Sequence, residues 1–574
     1  MYVLGINSVF HDSSAALLKD GKLLAAAEEE RFTHIKHGKR PVPFSTWQIP
    51  FYAIDYCLKT AGIHLRDVDH IAYSFNPYLL IDKEKANQPT IEIPLNLNAY
   101  KRNGHDPWET LFLSAILNAP GQLADGWPHH LQQRFIGSQP ADWQWHFVDH
   151  HIAHAASAYY PSPFNSAAVL TLDGRGERAT TTYSVGRDNE MTRTGQVDMP
   201  HSLGLLYEKV TEYLGFLPSS DEYKVMALAS YGKPVFEKDF KEIVQLKGNG
   251  QYVINDLKLE ERFGPTRLRN AEFTAHHFNI AHSLQKVLED TVIELTDWLH
   301  NETGDENLAM AGGVALNCVM NSRIKQYGSF KNIWVQPAAG DSGTALGAAI
   351  WIDKQERKSA KRDFEMTHAY WGPQYDDSEI EEFLKKSKIS YRVMNDQANE
   401  TAELLAQNKV IGWFQGPMEF GPRALGSRSI LASPIDPSMQ SRLNEIKDRE
   451  DFRPVAPVVI EEDAKDWFES ADYSPFMLFV YDVKPDKADK IPAVKHVDGT
   501  ARIQTINKNQ HNSYYNLLKA FKEKTGVPVL VNTSFNTLGK PIVCTPRDAV
   551  ECFWSQPFDA LVMGRFLIEK NGHA

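Results

Sequence analysis

Two stretches of the chain alternate short apolar runs with polar turns in the same order. The predicted strands are 2–7, 14–18 and 23–28 in the first stretch, and 166–172 and 179–185 in the second. The turn after the first strand contains Asp12 in one stretch and Asp173 in the other. Because this layout recurs within one half of the chain, it predicts an internal duplication.

Helical periodicity appears further along the chain. Apolar residues recur at helical spacing over 277–301, and a buried strand at 308–311 follows and runs into a pair of glycines. A second helix is predicted over 343–355. The charged run 356–362 contains few apolar residues, so we place a linker there.

A second α/β unit follows the linker. Its predicted elements are a helix at 378–385, a strand at 390–393, a helix at 400–407 and a strand at 410–414. A chain of 574 residues is too long for one core, and we predict domains over 1–360 and 361–574. The stretch 81–146 is rich in Pro, Trp and Asn, and we interpret it as an insertion that shapes a substrate pocket.

The composition narrows the class of protein. Hydrophobic residues make up 42% of the chain and charged residues 23%, which is ordinary for a soluble globular protein. The formal net charge of −12 argues against a nucleic-acid partner, which needs a basic face. The four scattered cysteines, and the lack of a signal sequence or a transmembrane-length run, favour a cytoplasmic protein without membrane association.

Two histidines form the first candidate site. If 148–156 is a helix, His150 and His154 lie one turn apart on one face, where two imidazoles can bind one metal ion. Asp173 and Asp341 each end an apolar run and present a carboxylate. Together the four side chains form a mixed nitrogen and oxygen set suited to iron, zinc or manganese. The alternative, a core histidine beside an exposed one, is disfavoured by the Asp-Gly turns.

The paired turns resemble those of the actin-like ATPase superfold, in which backbone amides hold nucleotide phosphates. Gly312 and Gly313, followed by Asn317, lie where that superfold faces the adenosine, since glycines let the backbone approach a ligand closely. The charged run 28–37 is interpreted as a solvated face, with the alternative that Lys36 reaches a phosphate. Lys224, beside an apolar stretch, is a similar candidate.

Positive side chains cluster in the second half of the chain. Pro422 suits the first turn of a short helix, which would leave free amides and Arg423 directed at an anion. Arginine forks and lysine ammonium groups bind phosphate, so the cluster predicts a phosphate site, with surface ion pairs as the alternative. The predicted ligands are Arg423, Arg428, Lys447, Arg449, Arg453, Arg502, Asn532, Ser534 and Asn536.

Taken together, the motifs resemble the NodU/CmcH-type carbamoyltransferase family, which includes TobZ-like O-carbamoyltransferases, over nearly the full chain. The matching motifs are 11–16 (His-Asp-Ser-Ser-Ala-Ala), 28–32 (Glu-Glu-Glu-Arg-Phe), 150–156 (His-His-Ile-Ala-His-Ala-Ala), 311–317 (Ala-Gly-Gly-Val-Ala-Leu-Asn), 340–343 (Gly-Asp-Ser-Gly), 420–426 (Phe-Gly-Pro-Arg-Ala-Leu-Gly) and 532–536 (Asn-Thr-Ser-Phe-Asn). So many motifs in the same order are highly specific.

The resemblance implies a fold and an arrangement of the second site. The N-terminal domain would be an actin-like (ASKHA) domain similar to the tRNA threonylcarbamoyl-transfer proteins, and the C-terminal domain a YrdC-like α/β domain. Lys447 with Arg449, and Ser534 with Asn536, match the Lys-x-Arg and Ser-x-Asn pairs of YrdC-like domains. The family also makes iron the expected metal.

The reaction implied by the resemblance has two steps. The C-terminal domain would make carbamoyladenylate from carbamoyl phosphate and ATP with Mg²⁺. The N-terminal domain would transfer the carbamoyl group to a hydroxyl of a small molecule, with the metal as Lewis acid and His11 or Asp12 as general base. The acceptor would belong to natural-product biosynthesis, such as that of antibiotics, or to nodulation-factor-like biosynthesis. A homodimer is one of the assemblies left open.

Two other functions stay open at this point. The first is an actin-like kinase that phosphorylates a sugar or another metabolite. It would need neither the His-x-x-x-His pair nor a second cationic domain, and it would release ADP. The second is a tRNA threonylcarbamoyl-type transferase or its non-catalytic partner, which would need the basic face that the net charge disfavours.

Overall fold

We analyse the protein in a computed structural model, which describes residues 1–38, 49–80, 109–125, 135, 142–358, 362, 364–537 and 539–570. The strands of the first sheet are β1 (Tyr2–Asn7), β2 (Ser14–Lys19), β3 (Lys22–Glu28), β4 (His70–Tyr73) and β5 (Gln144–Phe147). Their order is β3-β2-β1-β4-β5, with β1 antiparallel to β2 and parallel to β4. Nearly every residue of β1 and β2 is buried, as in a sheet covered on both faces.

A second sheet repeats this topology. The next strands are β6 (Ser166–Leu172), β7 (Ala179–Arg187), β8 (Glu190–Asp198), the hairpin β9 (Val244–Gly248) and β10 (Gln251–Ile254), then β11 (Asn307–Ala311) and β12 (Asn332–Val335). The sheet order is β12-β11-β6-β7-β8, with β6 antiparallel to β7 and parallel to β11. The arrangement matches that of the first sheet strand for strand, which confirms the predicted duplication and the actin-like α/β class.

The helices of this half pack against both sheets. They are α1 (Glu30–Thr33), α2 (Phe51–Ala61), α3 (Glu109–Leu117), α4 (Ala119–Asp125), α5 (His150–Tyr159), α6 (Leu203–Tyr213), α7 (Glu222–Ala229), α8 (Glu237–Ile243), α9 (Leu259–Phe263), α10 (Ala275–Thr303), α11 (Cys318–Tyr327) and α12 (Ser342–Arg357). The predicted helices 277–301 and 343–355 are therefore confirmed as α10 and α12.

Small residues bring α12 into direct contact with its neighbours. A Cβ atom on Gly347 would lie 1.7 Å from the carbonyl oxygen of Ala153 in α5, and one on Gly5 would lie 1.8 Å from that of Ala345. Any larger residue at either glycine would push the backbones apart. This close packing brings the start of α12 next to the start of α5.

The second half of the chain builds a mixed eight-stranded sheet. Its strands are β13 (Arg392–Val393), β14 (Ile411–Phe414), β15 (Arg428–Ala432), β16 (Ala456–Ile460), β19 (Gln504–Ile506), β20 (Val529–Ser534), β21 (Ala560–Met563) and β22 (Phe566–Glu569), while β17 (Val480–Asp482) pairs separately with β18 (Thr500–Arg502). The order is β13-β22-β21-β14-β15-β20-β16-β19. This sheet forms an α/β unit with its own core, as predicted.

The helices of the second half agree with the predicted ones where those were assigned. They are α13 (Asp377–Lys386), α14 (Gln397–Ala406), α15 (Met439–Ile446), α16 (Ala464–Trp467), α17 (Asn512–Thr525) and α18 (Pro546–Ser555). The predicted strand 390–393 shortens to β13, because its first two residues form no pairing.

Two sequence predictions involve residues outside the described ranges. Of the stretch 81–146, the structure describes only 109–125, 135 and 142–146, so its role as an insertion stays a prediction. The linker at 356–362 begins within the last turn of α12 and includes the undescribed residues 359–361, and the domain boundary near 360 also stays a prediction. Within the described ranges, no helix is both long and apolar enough to span a bilayer.

Candidate active site

Four metal-ligand side chains meet in the first half of the chain. Helix α5 begins after Asp149, whose carboxylate accepts a hydrogen bond from the Ile152 amide at 2.8 Å. The helix turns His150 and His154 toward Asp341, and the Nε2 atom of each lies 3.5 Å from Asp341 Oδ1. Asp173 Oδ2 lies 3.7 Å from His150 Nε2. The structure thus brings the four predicted ligands together, and all of them are buried.

These side chains carry polar atoms that need a partner. His150 Nε2, both ring nitrogens of His154 and both carboxylate oxygens of Asp341 are buried without a hydrogen-bond partner among the described residues. Leaving so many buried polar atoms unsatisfied costs several kcal/mol, roughly 1–3 for each. A cation placed among them would satisfy the inward-facing nitrogens and oxygens at once, so the residues fit a bound metal.

The orientation of His150 and the pKa values of His150 and Asp341 also favour a bound metal. His150 Nδ1 donates to the Ser74 carbonyl oxygen at 3.1 Å, which leaves Nε2 directed at the cluster. Burial lowers the pKa of His150, but Asp341 and Asp173 outweigh it and hold the pKa well above its usual value. The pKa of Asp341 is lowered to about 2, mainly because His11 and His150 outweigh the effect of burial. A divalent cation would replace the proton that these carboxylates otherwise attract.

The glycine pair supports this cluster. The Gly313 amide donates to Asp173 Oδ1 at 2.7 Å and so orients that carboxylate. Gly312 has φ +95°, and a Cβ atom there would lie 2.1 Å from the Leu172 carbonyl oxygen. Only glycine fits such a backbone approach. A contact between Gly312-Gly313 and adenosine stays a prediction.

A chain of polar side chains extends from the metal-ligand cluster. His11 Nε2 lies 3.9 Å from Asp341 Oδ2, and His11 Nδ1 lies 3.0 Å from Asp12 Oδ2. The second oxygen of Asp12 lies 2.9 Å from His37 Nδ1. Burial raises the pKa of Asp12, but His37 and His11 outweigh it and hold the pKa well below its usual value. Asp12 is therefore an ionised carboxylate beside the metal-ligand cluster, and His37 is a member of this group that the sequence did not indicate.

The predicted YrdC-like pairs meet in the second half of the chain. The Lys447 ammonium group donates to Ser534 Oγ at 3.1 Å, to Asn536 Oδ1 at 2.7 Å and to the Ser534 carbonyl oxygen. The side chain is buried, and burial together with neighbouring Arg449 holds the pKa of Lys447 well below its usual value. A lysine in this environment favours the approach of an anion.

Three arginines near Lys447 have buried donors without partners. Arg423 Nε, Arg449 Nη2 and Arg502 Nε make no hydrogen bond within the described part of the chain. Burial and the positive charge of Arg502 lower the pKa of Arg423. Arginine stays charged even so, and mutually repelling cations with unused donors form a site for an anion such as phosphate.

Residues of the first half border this cationic cluster. The Arg453 guanidinium lies 4.8 Å from the ring centroid of Tyr223 in α7, and the Lys36 ammonium lies 5.9 Å from the same centroid. Lys36 is also near enough to contribute to the lowered pKa of Lys447. The anion site therefore faces the domain that holds the metal ligands.

Arg428, a predicted phosphate ligand, is surrounded by backbone carbonyls. Its guanidinium donates to the carbonyl oxygens of Gln415, Gly416, Ser427 and Pro373 at 2.9–3.1 Å. The same group lies over the Phe414 ring, 3.6 Å from the centroid, and the residue is fully buried. Four backbone carbonyls accept hydrogen bonds from its two terminal nitrogens and leave only Nε without a partner, so the structure does not bring Arg428 to an open phosphate position, and its role as a phosphate ligand stays a prediction.

Three other predicted ligands form ion pairs or hydrogen bonds with neighbouring groups of the protein. Lys224 forms ion pairs with Glu450 at 3.0 Å and with Asp221 at 3.2 Å. Asn317 caps α11 and exchanges hydrogen bonds with Gln285, and the Asn532 amide donates to Gln504 and Ala424. The structure does not bring Lys224 or Asn317 to an open ligand position, and Asn532 supports the loop that carries Arg423.

The loop around Arg423 also differs from the prediction. No helix forms over 420–427, because Gly421 and Gly426 have φ of +122° and +113°. The carboxylate of Glu419 accepts the amides of Leu425 at 2.7 Å and Ser427 at 2.8 Å and so occupies them. Pro422 is therefore not the first residue of a helix, and an anion would meet side chains here rather than a helix terminus.

A buried ion pair of the first half, Glu28 with Arg31, forms hydrogen bonds with the backbone of this loop. Glu28 Oε1 accepts the Gly421 amide at 2.7 Å, and Arg31 Nη2 donates to the Gly421 carbonyl oxygen at 2.8 Å. Arg31 also pairs with Glu30 at 2.8 Å, and Glu30 accepts the His37 amide at 2.6 Å. The interpretation of 28–37 as a solvated face is wrong, since Glu28 and Arg31 are 4% and 3% exposed.

A substitution tests whether this contact positions Arg423. We expect Glu28→Gln to raise the KM for a phosphate-bearing substrate about tenfold, or about 1.4 kcal/mol, with little change in kcat. The reason is that the amide weakens the hold on Gly421 two residues before Arg423. Steady-state kinetics would measure the change, with Asp353→Asn, which alters another buried acid paired with an arginine, as the control. An unchanged KM in Glu28→Gln would remove the positioning role.

Comparisons with known proteins define the class of this chain. A model of the carbamoyltransferase N-terminus matches residues 2–350, and a model of the carbamoyltransferase C-terminus matches residues 402–570. Both matches are to halves of a transferase enzyme. The chain therefore belongs to the carbamoyltransferase family.

Individual relatives cover nearly all of the chain. An uncharacterized protein of Synechocystis is 40% identical over 99% of this chain and 97% of its own length. Nodulation protein NolNO of Sinorhizobium fredii is 39% identical over 98% of this chain and 80% of its own length. Among solved structures, component A of (R)-2-hydroxyglutaryl-CoA dehydratase from Acidaminococcus fermentans covers 62% of this chain and 99% of its own, with 15% identity and a TM-score of 0.34.

Proposed function

We propose that the protein is an ATP-dependent O-carbamoyltransferase that works in two steps at two sites. Carbamoyl phosphate, ATP and a water molecule give carbamoyladenylate, pyrophosphate and phosphate in the YrdC-like second half. The first half then transfers the carbamoyl group to a hydroxyl of a small molecule and releases AMP. The observation that carries the proposal is a set of cations with buried, unpartnered donor atoms that faces a domain with a buried set of metal ligands.

The residues of the second half would carry the activation step. Arg423, Arg449 and Arg502 would bind the phosphate oxygens of carbamoyl phosphate and of ATP, which arrives with Mg²⁺. Lys447, held by Ser534 and Asn536, would place a further positive charge where negative charge builds up in the transition state. Because these groups are already fixed and largely dry, their electrostatic effect would be stronger than in water.

The residues of the first half would carry the transfer step. His150, His154, Asp173 and Asp341 would hold a divalent metal ion, with iron as the expected metal, and this ion would supply Lewis-acid polarisation of the carbamoyl carbonyl. His11 or Asp12 would accept the proton of the acceptor hydroxyl. Asp12 is ionised and lies between His11 and His37, and His11 lies next to Asp341.

The two sites would share one interior between the halves of the chain. Carbamoyladenylate is a mixed anhydride that water hydrolyses, so transfer without release into solvent would favour the product. Tyr223 and Lys36 belong to the first half and border the cationic cluster of the second. The relatives named as nodulation proteins suggest a hydroxyl of a nodulation-factor-like or other natural product as the acceptor.

Product analysis separates the proposal from the alternatives. With carbamoyl phosphate, ATP and an acceptor, the enzyme should form AMP and pyrophosphate and add one carbamoyl group to the acceptor. A metabolite kinase would instead form ADP and need no carbamoyl phosphate. ADP as the product, or activity without carbamoyl phosphate, would overturn the proposal.

The tRNA alternative has a separate test. A net charge of −12 leaves little positive potential for a tRNA backbone, so the purified protein should not retain tRNA. Co-purification of a specific tRNA, or carbamoyl transfer to it, would revive that function.

The lowered pKa of Lys447 predicts a pH dependence of ligand binding. A bound phosphate next to Lys447 raises its pKa again, so binding of carbamoyl phosphate should take up protons. Affinity should therefore increase as the pH falls between the lowered pKa of the free enzyme and the higher pKa of the complex. Calorimetry in buffers of different ionisation enthalpy would measure the uptake, which should be smaller in Lys447→Met. Equal proton uptake in both proteins would contradict the expectation.

A further inference from the structure

A second group of metal-ligand side chains lies outside the proposed active site. His70 on β4, His146 on β5 and Glu356 in the last turn of α12 each offer one ligand atom, and the three atoms lie within 4.8 Å of one another. His70 is buried, His146 is half-buried and Glu356 is exposed. The three residues come from three different elements, so the fold itself assembles the group.

The strand register explains why the two histidines meet. β4 and β5 are parallel, with Ala72 opposite His146 and His70 opposite Gln144, so both histidines project from the same face of the sheet. His70 Nδ1 and His146 Nε2 lie 3.0 Å apart and share a hydrogen bond, which a bound ion would replace. Two nitrogen ligands of a tetrahedral zinc ion, each at 2.0–2.1 Å, lie about 3.3 Å apart. Only a small adjustment would therefore admit an ion between them.

The third ligand and the surroundings complete the coordination. Glu356 would add a carboxylate oxygen, which gives a two-nitrogen, one-oxygen set of the kind that zinc accepts with water as a fourth ligand. His146 also lines a cavity of about 510 Å³, together with Trp145, Phe147 and Trp351. This cavity would supply the water in the fourth position.

We propose that His70, His146 and Glu356 bind one zinc ion, separate from the metal of the His150 centre. The ion fastens the C-terminal end of α12 to β4 and β5. Asp341 lies at the opposite end of this helix, about 22 Å away at 1.5 Å per residue, so the two ions bind independently. The zinc site is a structural clamp on α12, the helix that begins directly after Asp341.

Metal stoichiometry tests the proposal without a measurement of activity. The tag-free, full-length protein is stripped with a chelator, dialysed against Zn²⁺ and analysed for bound metal. We expect two ions per chain in the wild type and one in His146→Gln or Glu356→Gln. His154→Ala is the matched variant at the other centre, and it should keep the ion bound by His146. Two ions in both His146→Gln and Glu356→Gln, or one ion in the wild type that His154→Ala removes, would overturn the proposal.

Thermal unfolding gives an independent measurement in the same proteins. Zn²⁺ should raise the Tm of His154→Ala, because only the proposed clamp binds the ion in that variant. The added substitution Glu356→Gln should abolish this shift, and since Glu356 is exposed, the fold should not depend on it. An equal zinc-dependent shift with and without Glu356 would argue against the site.

Discussion

Lys447→Ala is expected to lower the rate of carbamoyladenylate formation about 10²–10³-fold, which is the usual cost of removing one preorganised charge from a transition state. The side chain is buried and aligned by Ser534 and Asn536, so its charge is fixed in position. ATP–pyrophosphate exchange in the presence of carbamoyl phosphate measures this step directly. The variant should still transfer the carbamoyl group from supplied carbamoyladenylate.

Lys522→Ala is the control for Lys447→Ala. Lys522 belongs to the same half of the chain and forms an ion pair with Asp463 at 2.8 Å, so its loss also removes one positive charge. Exchange in this variant should be close to that of the wild type. Normal exchange in Lys447→Ala, with the fold intact, would show that activation occurs elsewhere.

His154→Ala is expected to impair the transfer step and not adenylate formation, the reverse of Lys447→Ala. Adenylate formation should continue, while transfer to the acceptor should fall by more than about a hundredfold. Mutation of a residue that only hydrogen-bonds to a metal ligand already lowers activity or metal affinity about 10–100-fold, and loss of a ligand should have a larger effect. The loss follows from the buried Nε2 atom that lies 3.5 Å from Asp341 and has no partner among the described residues. Product analysis and metal content of the purified variant measure both effects.

His151→Ala separates a ligand effect from a packing effect. His151 is on the same helix and fully buried, but its Nδ1 atom lies 2.7 Å from Thr171 Oγ1 and it is not part of the cluster. Burial lowers the pKa of His151 to about 3, so it is a neutral core residue. This variant should lose stability but keep its metal at the His150 centre. If His154→Ala keeps full transfer and metal content, His154 has no part in the mechanism.

Local patterns in the sequence were sufficient to predict much of the first half. The spacing of His150 and His154 needs only the geometry of one helical turn, and the duplicated strand order follows from two similar runs of apolar residues. Asp173 and Asp341 were predicted beside them only because each ends an apolar run and presents a carboxylate, and the folded chain brings the four side chains together.

The errors concern contacts that the sequence does not encode locally. Arg423 and Arg428 look equivalent in sequence, and only the folded chain shows that four backbone carbonyls bind the terminal nitrogens of Arg428. Glu28 and Arg31 look like part of a solvated charged run, yet their partner Gly421 is 390 residues beyond Arg31. No periodicity or turn rule reaches across such a separation.

The hydrogen bonds from Arg31 and Glu28 to the backbone of Gly421 in the other half have a consequence for engineering this protein. Chimaeras that join the front of one relative to the back of another should fail unless the Glu-Glu-Glu-Arg-Phe segment and the Phe-Gly-Pro-Arg loop are exchanged together. The two halves should therefore be exchanged as a matched pair, and acceptor preference should be altered by changes within the front half rather than by swapping whole modules.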